Sequence, residues 1–237
     1  MLGALGSLHY FWHLLTRLGE AQILLPAALL TTLGLLRQAD ARALAIWWIA
    51  SLAVAILVTA ASKVAFIGWG IGWPELNFTG ISGHAMLAAA VYPLLLGTLA
   101  PSASRAGRPL AVAAGFGLAL LIGVSRVVVG AHSVSEVLAG LMVGGIASAM
   151  ALNWEDLPST GPVSPLVPAV VALWLMLMPV HAPVSRTHAM VTKFSLLLSG
   201  HSLPYTRSGM LRDLRRRQAA PCRTPACTPP IAMQGGV

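Results

Sequence analysis

Charge is what this sequence most conspicuously lacks. Only 9% of its 237 residues are Asp, Glu, Lys or Arg, while 57% are hydrophobic, and the mean hydropathy is +0.78. A water-soluble domain of this size needs far more charged surface, so the composition places the chain in a bilayer. Basic residues are missing before Arg17, so MLGALGSLHYFWHLLTR lacks the cationic leader of a cleavable signal and is read as part of the chain. Alternating polar and apolar residues are also missing, which excludes a membrane β-barrel, and open sheet edges cannot face lipid. The two cysteines, Cys222 and Cys227, form an isolated C-x4-C in the tail. Without partner histidines this is a poor zinc pattern, and a disulfide or two idle thiols is the plain reading.

Long apolar runs occupy 21–36, 43–62, 85–100, 109–124, 137–152 and 165–180. Each is close to the roughly 17–25 residues that span hydrocarbon. The expected fold is an all-α, multi-pass transmembrane bundle of five or six helices over residues 1–181. His9 and His13 share a helical face with aromatic neighbours, which reads as an interfacial helix. The segment THAMVTKFSLLLSG (187–200) reads as an amphipathic surface helix.

Residues 1–181 carry 7 basic and 6 acidic residues, whereas 182–237 carry 8 and 1. The second region is therefore expected to be a basic tail, amphipathic and then disordered, whose Arg212, Arg215, Arg216 and Arg217 lie on anionic headgroups rather than on nucleic acid.

The run 63–84, KVAFIGWGIGWPELNFTGISGH, breaks the pattern with five glycines, a proline and polar Glu75, Asn77 and Thr79. The helix before it is expected to end at Ser62-Lys63, and a connection of this length and aromatic content points to function. A second polar cluster, SRVVVGAHSVSE (125–136), follows two helices later, so an up-and-down bundle brings both clusters to one membrane face. Lys63, His84, Arg126, His132 and Glu136 then share that face. Ionisable groups there are costly and mark a functional site.

His132 and Glu136 are four apart at a helix start, so the carboxylate can accept the Nδ1 proton and leave Nε2 as an activated nucleophile. Arg126 can fork onto a phosphate, Lys63 adds a point charge, and Ser82-Gly83-His84 enters a helix N-terminus that favours an anion. His84 can protonate a leaving oxygen. Histidines gathered at one end beside cations suit an anion better than the opposed pairs of a haem protein.

The segments G-I-S-G-H (80–84) and S-R-x5-H-x3-E (125–136) resemble the second and third signature motifs, P-S-G-H and S-R-x5-H-x3-D, of the type 2 phosphatidic acid phosphatase superfamily. The resemblance covers about 43–152. It implies a hydrolase of lipid phosphomonoesters or pyrophosphates that needs no metal or other cofactor and acts at the bilayer on a lipid phosphate. It further implies that His132 becomes a phosphohistidine, that His84 is the acid and Glu136 orients His132, and that Lys63, Ser82, Gly83, Ser125 and Arg126 bind the phosphoryl group.

The sequence departs from the family at three places. Ile81 replaces Pro, Glu136 replaces Asp, and Gly70-Ile71 replace the Arg-Pro of the first motif, K-x6-R-P, with no Lys or Arg between 63 and 105 to substitute. The missing cation keeps a second reading open, a degenerate protein that binds or transports a lipid phosphate without cleaving it. In the short loops, Arg37, Arg42, Arg105 and Arg108 lie opposite the site, and Arg17, Lys63 and Arg126 lie on its side. The expected location is therefore a bacterial inner membrane with the site facing the periplasm.

Overall fold

A computed structural model describes residues 2–100, 107–154, 166–181 and 187–219. Among these the chain is almost wholly helical: α1 Leu2–Arg17, α2 Ala21–Leu36, α3 Arg42–Trp69, α4 Gly83–Leu99, α5 Gly107–Val128, α6 Val134–Trp154, α7 Leu166–His181, α8 Thr187–Ser199 and α9 Arg207–Ala219. The all-α bundle expected from the apolar runs is what forms. Ala39–Trp69, Gly107–Val128 and Val134–Leu152 are long and apolar enough to cross a membrane, and α1 with α2, bent by 42°, makes a fourth candidate. By length this is fewer than the five or six spans expected, because α4 and the apolar part of α7 are shorter.

Helix α4 is the axis of the bundle. Apart from Leu96, every residue from Ala85 to Thr98 is buried, packed by α5 and α6 and touched by α2 and α3. Its Ala-rich sequence leaves room for backbones to approach. On α6, Gly140 and Gly144 form a G-x3-G step that meets α4: a Cβ built on Gly140 would lie 2.6 Å from the Ser82 carbonyl oxygen, and one on Gly144 would collide with that of Met86. Only glycine permits this contact, the close helix packing that membrane proteins use where lipid and side chain are equally apolar. Buried polar handles are satisfied by backbone across the bundle: Trp48 Nε1–H donates to the Ala90 carbonyl at 3.0 Å, and the Tyr92 hydroxyl to that of Leu18 at 3.0 Å.

Two corrections to the sequence expectation bear on the site. Helix α3 does not stop at Ser62-Lys63 but continues for two further turns, since Val64, Ala65, Phe66 and Ile67 extend its apolar pattern. It ends at Gly70, left-handed at φ 70°, where the Gly70 and Ile71 N–H groups close onto Phe66 and Ala65 carbonyls. Lys63 is therefore a mid-helix residue. The tail also differs from the disordered segment expected after α8, because Arg207–Ala219 is helical and touches the turn at Pro74–Leu76. Arg105, Cys222 and Cys227 lie outside the described residues.

Candidate active site

The site is assembled where α3 ends, α4 and α6 begin, and α5 ends. Glu136 stands at its centre, with its side chain wholly buried. His132 Nδ1–H donates to its Oε2 at 2.7 Å, the Ser133 N–H donates to the same oxygen at 3.1 Å, and the Thr79 N–H and hydroxyl donate to Oε1 at 2.7 and 2.6 Å. Arg207, reaching in from α9, donates to Oε2 through Nη2. A buried carboxylate persists only with such full satisfaction, and charge-assisted bonds of this kind are the strong ones.

Local sequence explains how Glu136 is aimed. Ser133 precedes α6 and Glu136 is its third residue, so S-V-S-E forms a capping box. The Ser133 hydroxyl accepts from the Glu136 N–H at 3.4 Å, while the carboxylate returns to the Ser133 N–H. The methylene that Glu has over Asp lets one carboxylate cap the helix and hold His132 together. The Ser82 N–H donates to the Glu136 main-chain carbonyl at 3.0 Å, which ties the start of α4 to the start of α6.

Around this centre lie the expected phosphate ligands. A Cβ on Gly83 would stand 3.7 Å from Lys63 Nζ, so the ammonium sits at the N-terminus of α4, beside its unpaired amides. Arg126 is held from α1: its Nη1 donates to the buried Thr16 hydroxyl at 2.9 Å. Arg126, Lys63 and His132 all lie within electrostatic reach of His84. Three buried polar atoms here have no partner among the described residues, namely Arg126 Nε, Ser82 Oγ and Thr59 Oγ1, the last one turn before Lys63. Buried donors left open in this way need a ligand or water to complete them.

His132 lies in the α5–α6 loop, its side chain 15% exposed. Burial pushes its imidazole below the usual value and Lys63 and Arg126 add to this, against the opposing pull of Glu136. Its Nε2 makes no hydrogen bond among the described residues. With Nδ1–H given to Glu136, the tautomer is fixed and Nε2 is left as a lone pair within electrostatic reach of Lys63 and Arg126.

The structure thus brings together Lys63, Ser82, Gly83, His84, Arg126, His132 and Glu136. Ser125 precedes Arg126 in the last turns of α5. Its hydroxyl is buried and donates to the Ile122 carbonyl one turn back at 2.6 Å, so it braces α5. Thr79 and Arg207 were not foreseen as site residues, nor was Thr16. A capping box is readable at 133–136, but nothing in the spacing of Thr79 or Arg207 announces a shared carboxylate. Among the described residues no group of three His, Cys, Asp or Glu side chains could hold a metal ion.

Fold and site together define a bundle of apolar, membrane-length helices whose end gathers a carboxylate-held histidine and cationic side chains. The family model of the PAP2 superfamily matches residues 67–157. An uncharacterized 22.5 kDa protein of the cps region of Klebsiella pneumoniae is 41% identical over 141 residues, 60% of this chain and 68% of that protein. Phosphatidylglycerophosphatase B of Bacillus subtilis (strain 168) is 40% identical over 73 residues, 30% of this chain and 36% of that protein. No solved structure matches the chain significantly. The chain belongs to the PAP2 superfamily.

Proposed function

We propose that this protein is a membrane-embedded lipid phosphate phosphatase that works through a phosphohistidine. The observation that carries the reading is the His132–Glu136 pair, 2.7 Å apart, within electrostatic reach of Lys63 and Arg126; Arg126 Nε and Ser82 Oγ are buried and have no partner among the described residues. The phosphoryl group of a lipid monoester or pyrophosphate is held by Lys63, Arg126, the Ser82 hydroxyl and the first amides of α4. His132 Nε2 attacks phosphorus as the ester P–O bond breaks, and His84 gives its proton to the departing oxygen. Glu136 supports the imidazole as its charge grows. Water, activated by the now neutral His84, then cleaves the P–N bond, releasing inorganic phosphate and restoring both histidines.

The apolar helices and the likeness to a phosphatidylglycerophosphatase favour a lipid substrate in the bilayer. Arg37, Arg42 and Arg108 lie at the bundle end opposite the site, which favours an inner-membrane protein with its site toward the periplasm. The test is the detergent-purified full chain assayed for phosphate release against phosphatidate, phosphatidylglycerophosphate, an isoprenyl pyrophosphate and a lipid A phosphate. Rapid quenching should trap an acid-labile, base-stable phosphoryl group on the wild type that His132→Ala lacks. Tight vanadate binding without any phosphate release would instead establish a non-catalytic phosphate-binding protein.

A further inference from the structure

The polypeptide after α8 runs as a strap across the rim of the site. Helix α8 packs on α3. His201 Nδ1–H then donates to the Gly68 carbonyl at 2.7 Å, and the Tyr205 N–H to that of Ile67 at 3.0 Å. The Tyr205 ring covers Gly70, where an added Cβ would meet it at 2.8 Å. Gly70 is the position that carries arginine in the first motif of the family, and here an aromatic ring from the strap fills that place. Two residues on, the strap delivers a guanidinium of its own. Arg207 Nη2 binds Glu136 Oε2 and lies 3.3 Å from the Thr79 hydroxyl, with the side chain 32% exposed.

We infer that Arg207 is a positioning residue for the nucleophile, a cation on α9 that clamps the same carboxylate oxygen that holds His132. This rests on the reading of His132 as nucleophile. Its physical content concerns one oxygen with two claimants. A bare carboxylate orients an imidazole but also raises its affinity for a proton, and a protonated ring cannot attack. A guanidinium on the same oxygen offsets that charge while leaving the Nδ1–H bond and the tautomer intact. Arg207 thus lets Glu136 aim the ring without charging it. Among the described residues, the other charged or titratable groups that act on His132 or feel it are Lys63 on α3, His84 on α4 and Arg126 on α5. Each stays in place when Arg207 is changed.

The experiment is a histidine NMR titration of the full chain in detergent, with the His132 signal assigned by its loss in His132→Asn. Arg207→Gln should raise the His132 pKa by about half a unit or more, because Glu136 is left uncompensated, while Arg207→Lys should leave it close to the wild-type value. Arg207→Met, which keeps the stem covering the rim, serves as a second neutral variant if the glutamine form does not fold. On an active substrate, the acid limb of kcat in a neutral variant should move to higher pH by the same amount, with kcat falling roughly tenfold and KM little changed. An unshifted His132 in a folded neutral variant overturns the proposal, whether or not the protein turns over. A normal shift in a protein that releases no phosphate from any lipid supports the clamp and counts against the phosphatase reading alone.

Discussion

Helices α4 and α9 are opposites that serve the same residue. From Ala85 to Thr98 helix α4 is buried except at Leu96; α9 has no buried residue and carries Arg207, Arg212, Arg215, Arg216 and Arg217. Helix α4 reaches Glu136 through backbone, by the Ser82 N–H just before its first turn, and its position is fixed by the glycine seam on α6. Helix α9 reaches it through one side chain at the rim. The difference separates two ways of building a site. What α4 supplies cannot be altered without disturbing the bundle, whereas what α9 supplies can be removed while the bundle stands.

The sharpest expected effect concerns the group on which both helices converge. His132→Ala should lower kcat by about 10³-fold or more, as for loss of a nucleophile, with helicity and thermal unfolding unchanged. Retained turnover would remove the chemical meaning of the Glu136 contacts. Lys63, whose ammonium sits against the start of α4, comes next. Lys63→Ala should lose roughly 2–4 kcal/mol of transition-state stabilisation, mainly in kcat, because Gly70 leaves the phosphate few side-chain cations. A change under about threefold would show that Lys63 only snorkels from its helix.

Gly144→Ala tests the buried arm of the contrast. Its methyl would collide with the Met86 carbonyl, so the variant should lose about 1–3 kcal/mol of stability, read as a lower unfolding temperature in detergent, together with activity. If α4 and α6 tolerate that methyl, the seam is looser than described. The smallest effect is in pH. Since burial, helped by Lys63 and Arg126, holds His132 below its ordinary value, the unprotonated nucleophile persists in mild acid, and the acid limb of kcat/KM should lie below about pH 6.5. An acid limb above that value would mean that Glu136 outweighs the combined effect of burial and the two cations.

The same contrast marks how far the sequence could be read. The helices followed from apolar runs, and the face shared by 82–84 and 125–136 followed from counting two helices between them. His132 and Glu136 followed from a four-residue spacing, since local periodicity sets which side chains adjoin. The end of α3 was misplaced because Lys63 looked like a boundary, while the actual stop signal was Gly70 seven residues on. Thr79 and Arg207 stand 57 and 71 residues from Glu136, and Thr16 stands 110 from Arg126. Such pairings depend on how the helices pack in three dimensions, and one sequence shows no periodicity for them. Ser125 shows the limit from the other side: it matches a motif position, while its hydroxyl donates to its own helix at Ile122, a local bond that a motif does not reveal.

The bond between Arg126 and Thr16, set beside that between Arg207 and Glu136, has a consequence for how the protein comes into being. The segment matching the family, 67–157, holds most of the reacting groups but neither Thr16 nor Arg207. A nascent chain that has made α1 through α6 already carries His132 and Glu136, and it still lacks the Arg207 contact on that carboxylate. Domains fold as units in the order of synthesis, so the pocket stays unfinished until α9 has left the ribosome. A chain cut short after α7 should therefore keep the His132–Glu136 bond but lack the Arg207 contact on the same carboxylate oxygen.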